Sequence, residues 1–134
     1  MGQRVSTDDY NAIADHFGRY CFHIDSGEAE EWAALYTEDG VFEGSATPQP
    51  LKGRAELKAF AEATFNNSKG RMRHMVGNLN CVYGASRDEV TAKLYNYVTT
   101  WTPEGRPVLA VCEVNLVRVA DGWRLKRNAY EMFA

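Results

Sequence analysis

Apolar side chains at Ile13, Phe17, Tyr20 and Ile24 follow spacings of four, three and four, which lays one stripe along a helix. The helix predicted over "STDDYNAIADHFGRYCFHID" has Ser6 or Thr7 as N-cap, with Asp8 and Asp9 in a first turn where the helix dipole favours negative charge. Ser26-Gly27 breaks it. "GEAEEWAALYTEDG" reads as a second, shorter helix turning Ala29, Trp32, Ala33 and Tyr36 inward and stopping at Asp39-Gly40. "GVFEGS" reads as a short strand, and "ATPQPLKG" as a loop marked by its prolines. "GRAELKAFAEATFNN" is a third helix presenting Leu57, Phe60, Ala61, Thr64 and Phe65.

From residue 71 the period changes to that of strands. "RMRHMVGNLNCVYGA", "EVTAKLYNYVTTWT", "PVLAVCEVNLVRVA" and "WRLKRNAYEMFA" are joined by "SRD", "PEGR" and "DG". Such joints are too short for crossovers, so the four strands form an antiparallel meander. Three helices and a small strand followed by a curved sheet predict an α+β domain, helices on one sheet face, spanning residues 1–134 as a single unit.

Turn positions set the register. Asp121-Gly122 as a two-residue turn pairs Asn115 with Asn128 and Glu113 with Tyr130, and Glu104-Gly105 pairs Val111 with Val98 and Glu113 with Asn96. One face then collects Asn96, Val98, Thr100, Val111, Glu113, Asn115, Asn128, Tyr130 and Met132. The other holds Tyr95, Tyr97, Trp101, Cys112, Val114, Leu116, Trp123 and Leu125. A three-residue turn at Ser86-Arg87-Asp88 puts His74 opposite Thr100 on the polar-and-aliphatic face, whereas a two-residue turn flips it. That mixed face has the make-up of a pocket with few convergent polar groups. Glu113 on it needs a cationic partner, for which Arg127 or Lys126 is available. The aromatic opposite face is large enough to be buried against another copy of the chain, predicting a homo-oligomer.

Composition narrows the partners. With 15 Lys+Arg against 18 Asp+Glu the formal charge is −3, and no basic run exists to track a phosphate backbone, so nucleic acid is not an expected partner. No apolar run is long enough to span a membrane. Cys21, Cys81 and Cys112 are odd in number, far apart and set among apolar neighbours, as suits free buried thiols in a reducing, cytoplasmic setting. Three histidines and scattered acids give no metal-ligand spacing. His23 and Asp25 resemble an acid–base pair, but positions i and i+2 of a helix lie ~200° apart and cannot share a proton or a metal.

The runs "AIADHFGRYCFHIDSGEAEEWAALYTEDGVFEG", "LKGRAELKAFA", "RHMVGNL" and "ADGWRLKR" resemble the NTF2-like superfamily. Within it they resemble the SnoaL-like group, related to scytalone dehydratase, bile-acid 7α-dehydratase and hexachlorocyclohexane dehydrochlorinase. The resemblance implies a cone-shaped α+β barrel whose concave sheet and helices enclose an apolar pocket, and a homo-oligomer that is a dimer through the sheet or a trimer. It also implies a catalytic dyad of an aspartate ending the first helix and a histidine early in the first long strand. Asp25 in "HIDSGE" and His74 in "RMRHMVGNL" occupy those places, and this favours the register that turns His74 into the pocket. Tyr20 matches a helix tyrosine near the dyad, with a core tyrosine on the Ile13/Phe17/Ile24 stripe as the equal alternative.

The chemistry expected of such a dyad is proton abstraction. The carboxylate fixes the imidazole tautomer and stabilises the imidazolium, and without a serine or cysteine beside it the histidine is a general base. The expected protein is a cofactor-independent lyase of the dehydratase type or an isomerase, acting on a small hydrophobic, oxygenated, cyclic molecule. The residues expected to line its site are Asn96, Val98, Glu113, Asn128 and Tyr130. A non-catalytic ligand binder, or an accessory subunit like the small subunits of ring-hydroxylating dioxygenases, is the second reading. A pocket with His74 and Asp25 too far apart to hydrogen-bond would favour that second reading.

Overall fold

The computed structural model describes residues 2–133. Three helices, α1 (Thr7–Asp25), α2 (Ala29–Ala34) and α3 (Arg54–Asn67), pack against one face of a curved, unclosed sheet. Its strands are β1 (Tyr36–Gly44), β2 (Leu51–Lys52), β3 (Met72–Tyr83), β4 (Glu89–Thr100), β5 (Val108–Val119) and β6 (Gly122–Phe133), in the order β2-β1-β6-β5-β4-β3. The last four form the antiparallel meander. The sheet as a whole is mixed, because β1 lies parallel to β6.

α1 begins and ends as its sequence dictates. The Ser6 hydroxyl oxygen accepts the Asp9 backbone N–H at 3.1 Å, and Ile13, Phe17, Tyr20 and Ile24 are buried. At the other end the Glu28 N–H donates to the His23 carbonyl at 2.9 Å across Gly27, whose φ of +75° closes the helix with little strain only in glycine. The second helix is shorter than its pattern suggests. It stops at Ala34 and the chain enters β1 at Tyr36, so "YTEDG" is strand rather than helix. Around the fully buried Trp32 gather the rings of Tyr20, Tyr36, Phe42 and Phe60, with centroids 5.1–6.0 Å away, within the range of favourable aromatic pairs.

Two bulges overturn the expected register. In β3, Gly77 pairs with Tyr95 but Asn80 with Lys93, so one extra residue is accommodated around Asn78, which adopts φ +57°. In β6, Leu125 pairs with Leu116 but Arg127 with Asn115, making Lys126 the extra residue. Each bulge reverses which residues face inward. In β3, Tyr83 and Cys81 face the core on one side of the bulge, and Met72 and His74 face it on the other. In β6, Trp123 and Leu125 are followed after the bulge by Asn128, Tyr130 and Met132 on the same inner face.

Strands β4 and β5 carry no bulge between them, and their even-numbered residues, Leu94, Asn96, Ala110, Cys112 and Val114 among them, face inward throughout. Asn96 therefore pairs with Ala110, and Val98 with Val108, because residues 101–107 form a longer connection than a two-residue Glu104-Gly105 turn. Val111 and Glu113 fall on the outer face, and Cys112, Val114, Leu116, Trp123 and Leu125 on the inner one, opposite to the sequence expectation. At the last hairpin Val119 pairs with Gly122, so the turn residues are Ala120 and Asp121.

Candidate active site

Asp25 is the last residue of α1, held there by the glycine-closed turn that follows it, and it meets the first half of β3. Both of its carboxylate oxygens are engaged by one residue. Oδ2 accepts the backbone N–H of His74 at 3.0 Å, and Oδ1 accepts the ring Nδ1–H of His74 at 2.6 Å. Both side chains are more than nine-tenths buried, with 9% of His74 and 8% of Asp25 exposed. This two-point contact fixes the ring plane and the tautomer, leaving Nε2 as the basic nitrogen. His23 takes no part: its Nδ1 meets Glu28 Oε1 at 3.1 Å across the Gly27 turn, partly exposed. His16 is buried on the other side of α1 and donates Nε2–H to the Leu35 carbonyl at 3.0 Å.

His74 forms part of the wall of a cavity of about 170 Å³ between the inner sheet face and the helices. The lining is largely apolar, with Ile24, Phe42, Phe60, Met72, Val98 and Val108 contributing, and the polar residues Tyr20, Asn96, Asn128 and Tyr130 interrupt it. Of the site residues expected from sequence, His74, Tyr20, Asn96, Val98, Asn128 and Tyr130 line this cavity, and Asp25 reaches it through His74. Glu113 does not. It is exposed on the outer face opposite Lys93, and Arg127, its expected partner, is paired with Glu43 instead.

The cavity floor is a polar network. The Asn128 amide donates Nδ2–H to the hydroxyl oxygens of Tyr20 at 3.2 Å and Tyr36 at 3.3 Å. Burial pushes both phenols well above their usual range, so they remain neutral donors at physiological pH. The helical pattern places Tyr36 only in the core, and its position in β1 brings it here. Cys112 and Ala110 line the cavity too, signalled by their even position in an unbulged strand. Burial pushes the Cys112 thiol up to about 12, so it is a neutral lining group and not a nucleophile. Among the described residues no three His, Cys, Asp or Glu side chains converge as metal ligands would. No helix of the described residues is long and apolar enough to cross a membrane.

Comparison with known proteins agrees with this architecture. An NTF2-like protein with a cystatin-like fold from Novosphingobium aromaticivorans superposes with a TM-score of 0.84 at 23% identity, covering 94% of this chain and 82% of its own. Aln2 from a Streptomyces species gives 0.84 at 20% identity, with 96% of this chain and 94% of its own covered. A Catenulispora acidiphila protein, solved in complex with S-DNPA, gives 0.74 at 26% identity, with 95% of each chain covered. No curated protein matches the chain. The SnoaL-like domain family matches residues 5–128, nearly the whole chain, and the protein belongs to that family.

Proposed function

We propose that the protein is a cofactor-independent lyase or isomerase in which His74 abstracts a proton from carbon and Asp25 orients the ring and balances its charge. The observation that carries this reading is the 2.6 Å contact between His74 Nδ1 and Asp25 Oδ1 in the wall of an apolar cavity. The imidazole Nε2 takes the proton, the carboxylate stabilises the imidazolium, and the neutral Tyr20 phenol is placed to donate to oxygen in the substrate. Asn96, Val98, Asn128 and Tyr130 line the substrate's place. The same imidazolium can return its proton to an expelled hydroxyl, giving elimination, or to another carbon, giving a double-bond shift. A pure binding role has no need of a histidine held at two points by a buried carboxylate. The free buried cysteines fit a reducing, cytoplasmic setting.

The test is hydron exchange on a simple carbon acid. The protein is incubated with cyclohexanone in D2O and loss of the α-proton signal is followed by NMR. Wild type is expected to accelerate exchange, and His74→Ala and Asp25→Asn, each still folded by circular dichroism, to lose ~10²–10⁴-fold of that acceleration. Exchange at the wild-type rate in either variant would overturn the assignment.

We further propose that the functional unit is a homodimer joined through the outer sheet face. Met75, Tyr97, Leu109 and Phe133 pair in succession across β3, β4, β5 and β6, forming one continuous row, and all four are exposed. Tyr95 adds to the row from the neighbouring position of β4. An apolar band of this kind on a sheet flanked by Arg73, Glu113 and Glu131 has the apolar centre and charged rim of an isologous interface.

A further inference from the structure

Two amide oxygens at the cavity floor lack what buried acceptors normally have. Asn96 is 8% and Asn128 3% exposed, and no protein donor among the described residues reaches Oδ1 of either. Buried amide oxygens are nearly always satisfied, and leaving one without a donor is costly, so such a pair points to a group that arrives from outside. Both side chains line the main cavity, and both also border a second void of about 10 Å³ directly adjoining it, between Tyr20, Phe17 and Leu94. That void admits a single oxygen or nitrogen atom and nothing larger.

Size limits the rest of the molecule. An apolar cavity of roughly 150 Å³ accepts a benzene ring, whereas drug-sized ligands occupy roughly 300–1,000 Å³. The main cavity, at about 170 Å³, therefore encloses one substituted ring and not a fused polycycle. The lining carries no ionised group other than the dyad, which selects for a neutral ligand.

We propose that the cavity takes a neutral molecule with one six-membered ring bearing a hydroxyl or N–H donor, seated with that donor between Asn96 Oδ1 and Asn128 Oδ1. His74 then faces the ring from the β3 side. The Asn96 amide follows His74 closely in the sheet, since His74 pairs with Val98 and Val76 with Asn96. This inference deepens the proton-transfer reading, on which it rests for the statement that the ring is a substrate. The binding geometry itself does not depend on turnover.

The experiment compares phenol, anisole and 2-hydroxyanthracene as probes, with dissociation constants measured by ligand-observed NMR. Anisole keeps the ring and the oxygen but cannot donate, and 2-hydroxyanthracene keeps the donor on a fused tricycle. Wild type is expected to bind phenol tighter than anisole by roughly ten-fold or more, the cost of leaving a buried acceptor unmatched. Phenol is also expected to bind tighter than 2-hydroxyanthracene. In Asn96→Leu, a near-isosteric change, Asn128 Oδ1 remains to accept, so the preference for phenol over anisole is expected to fall by about two- to three-fold and not to vanish, and an unchanged ratio overturns the placement beside Asn96. Equal binding of phenol and anisole by wild type, tighter binding of the tricycle, or no saturable binding of phenol each overturns the proposal. The wild-type ratios need no variant to fold. Because these are binding constants, a donor preference that persists while cyclohexanone exchange fails removes only the proton-transfer reading, and the reverse outcome removes only this one.

Discussion

Asn78 decides which way His74 points. The residue bulges out of β3 at φ +57°, and the strand beyond it is shifted by one position, so His74 pairs with Val98 and faces the cavity. Continuing the Asn80–Lys93 register without the bulge would set His74 opposite Thr99 and turn it outward.

The bulge makes a prediction about substitution. Asparagine and glycine tolerate the left-handed region, and a β-branched side chain does not. Asn78→Gly is expected to keep stability within about 1 kcal/mol of wild type. Asn78→Val is expected to cost ~1–2 kcal/mol or to move the bulge. Urea unfolding read beside cyclohexanone exchange checks it: a Val variant as stable and as active as wild type would show that the bulge does not depend on Asn78.

For the dyad, the informative comparison is Asp25→Asn against Asp25→Ala. An asparagine can still accept the His74 N–H but can no longer accept the Nδ1–H as a carboxylate does, so it leaves the fold and removes the tautomer control. Exchange is expected to fall ~10²–10⁴-fold in both. Stability is expected to fall more in the alanine variant, by about 1–3 kcal/mol for a buried backbone donor left unmatched. Equal stability of the two would show that the second oxygen of Asp25 contributes nothing to the fold.

His16 carries a pH dependence of stability. Burial lowers its pKa below the ordinary 6.5, because the charged imidazole would be poorly solvated. The unfolded chain therefore binds this proton first as pH falls. Stability from this group is complete above about pH 6.5 and declines as pH drops toward the lower folded value. His16→Gln retains a donor for the Leu35 carbonyl and is expected to flatten the urea midpoint across that interval. Asp9 acts at lower pH: the Arg118 guanidinium, bonded to it at 2.9 and 3.0 Å, holds its carboxyl below 3.8. That contribution is present above pH 3.8 and is lost as pH falls through the depressed value.

Tyr97 lies within the exposed apolar row of the outer face. Tyr97→Glu is expected to weaken self-association by about thirty-fold or more, as removal of a central interface aromatic does, without changing the monomer's unfolding. Light scattering across a dilution series reads this. A wild-type chain that is monomeric at every concentration would remove the dimer from the proposal.

The helices were legible because their signals are local: the Ile13–Ile24 stripe, Ser6, and Gly27 each act within a turn or two. The meander was legible from its short joints. The faces were legible only in part: His74, Asn96, Val98, Asn128 and Tyr130 lie on the inner face as expected, but β5 and the start of β6 are inverted, because an alternating pattern is read modulo two and one extra residue inverts everything beyond it. "VGNLN" and "LKRN" carry the two bulges with little more than a Gly-Asn pair and a run of cations to mark them. Glu113 was misplaced for a related reason, since a loop over residues 101–107 shifts β5 against β4 by an odd number of positions relative to a tight turn. Asn128 and Tyr130 nevertheless reach the inner face, because the Lys126 bulge keeps them on the same side as Trp123 and Leu125.

β3 is the outermost strand of the sheet on its side, with no strand beyond it among the described residues. Its far half is covered by the N-terminal segment, where Val5 donates to Cys81 and Tyr83 to Gln3. At His74 the cover is the Asp25 carboxylate, which takes the outward N–H that another chain's strand would otherwise seek. The proposed general base is therefore seated on a sealed sheet margin, and truncating Asp25 to alanine removes a guard against strand addition as well as a proton-transfer partner. The Asp25→Ala variant should be handled as aggregation-prone, with slow growth of cross-β material on storage marking the loss, and Asp25→Asn should not.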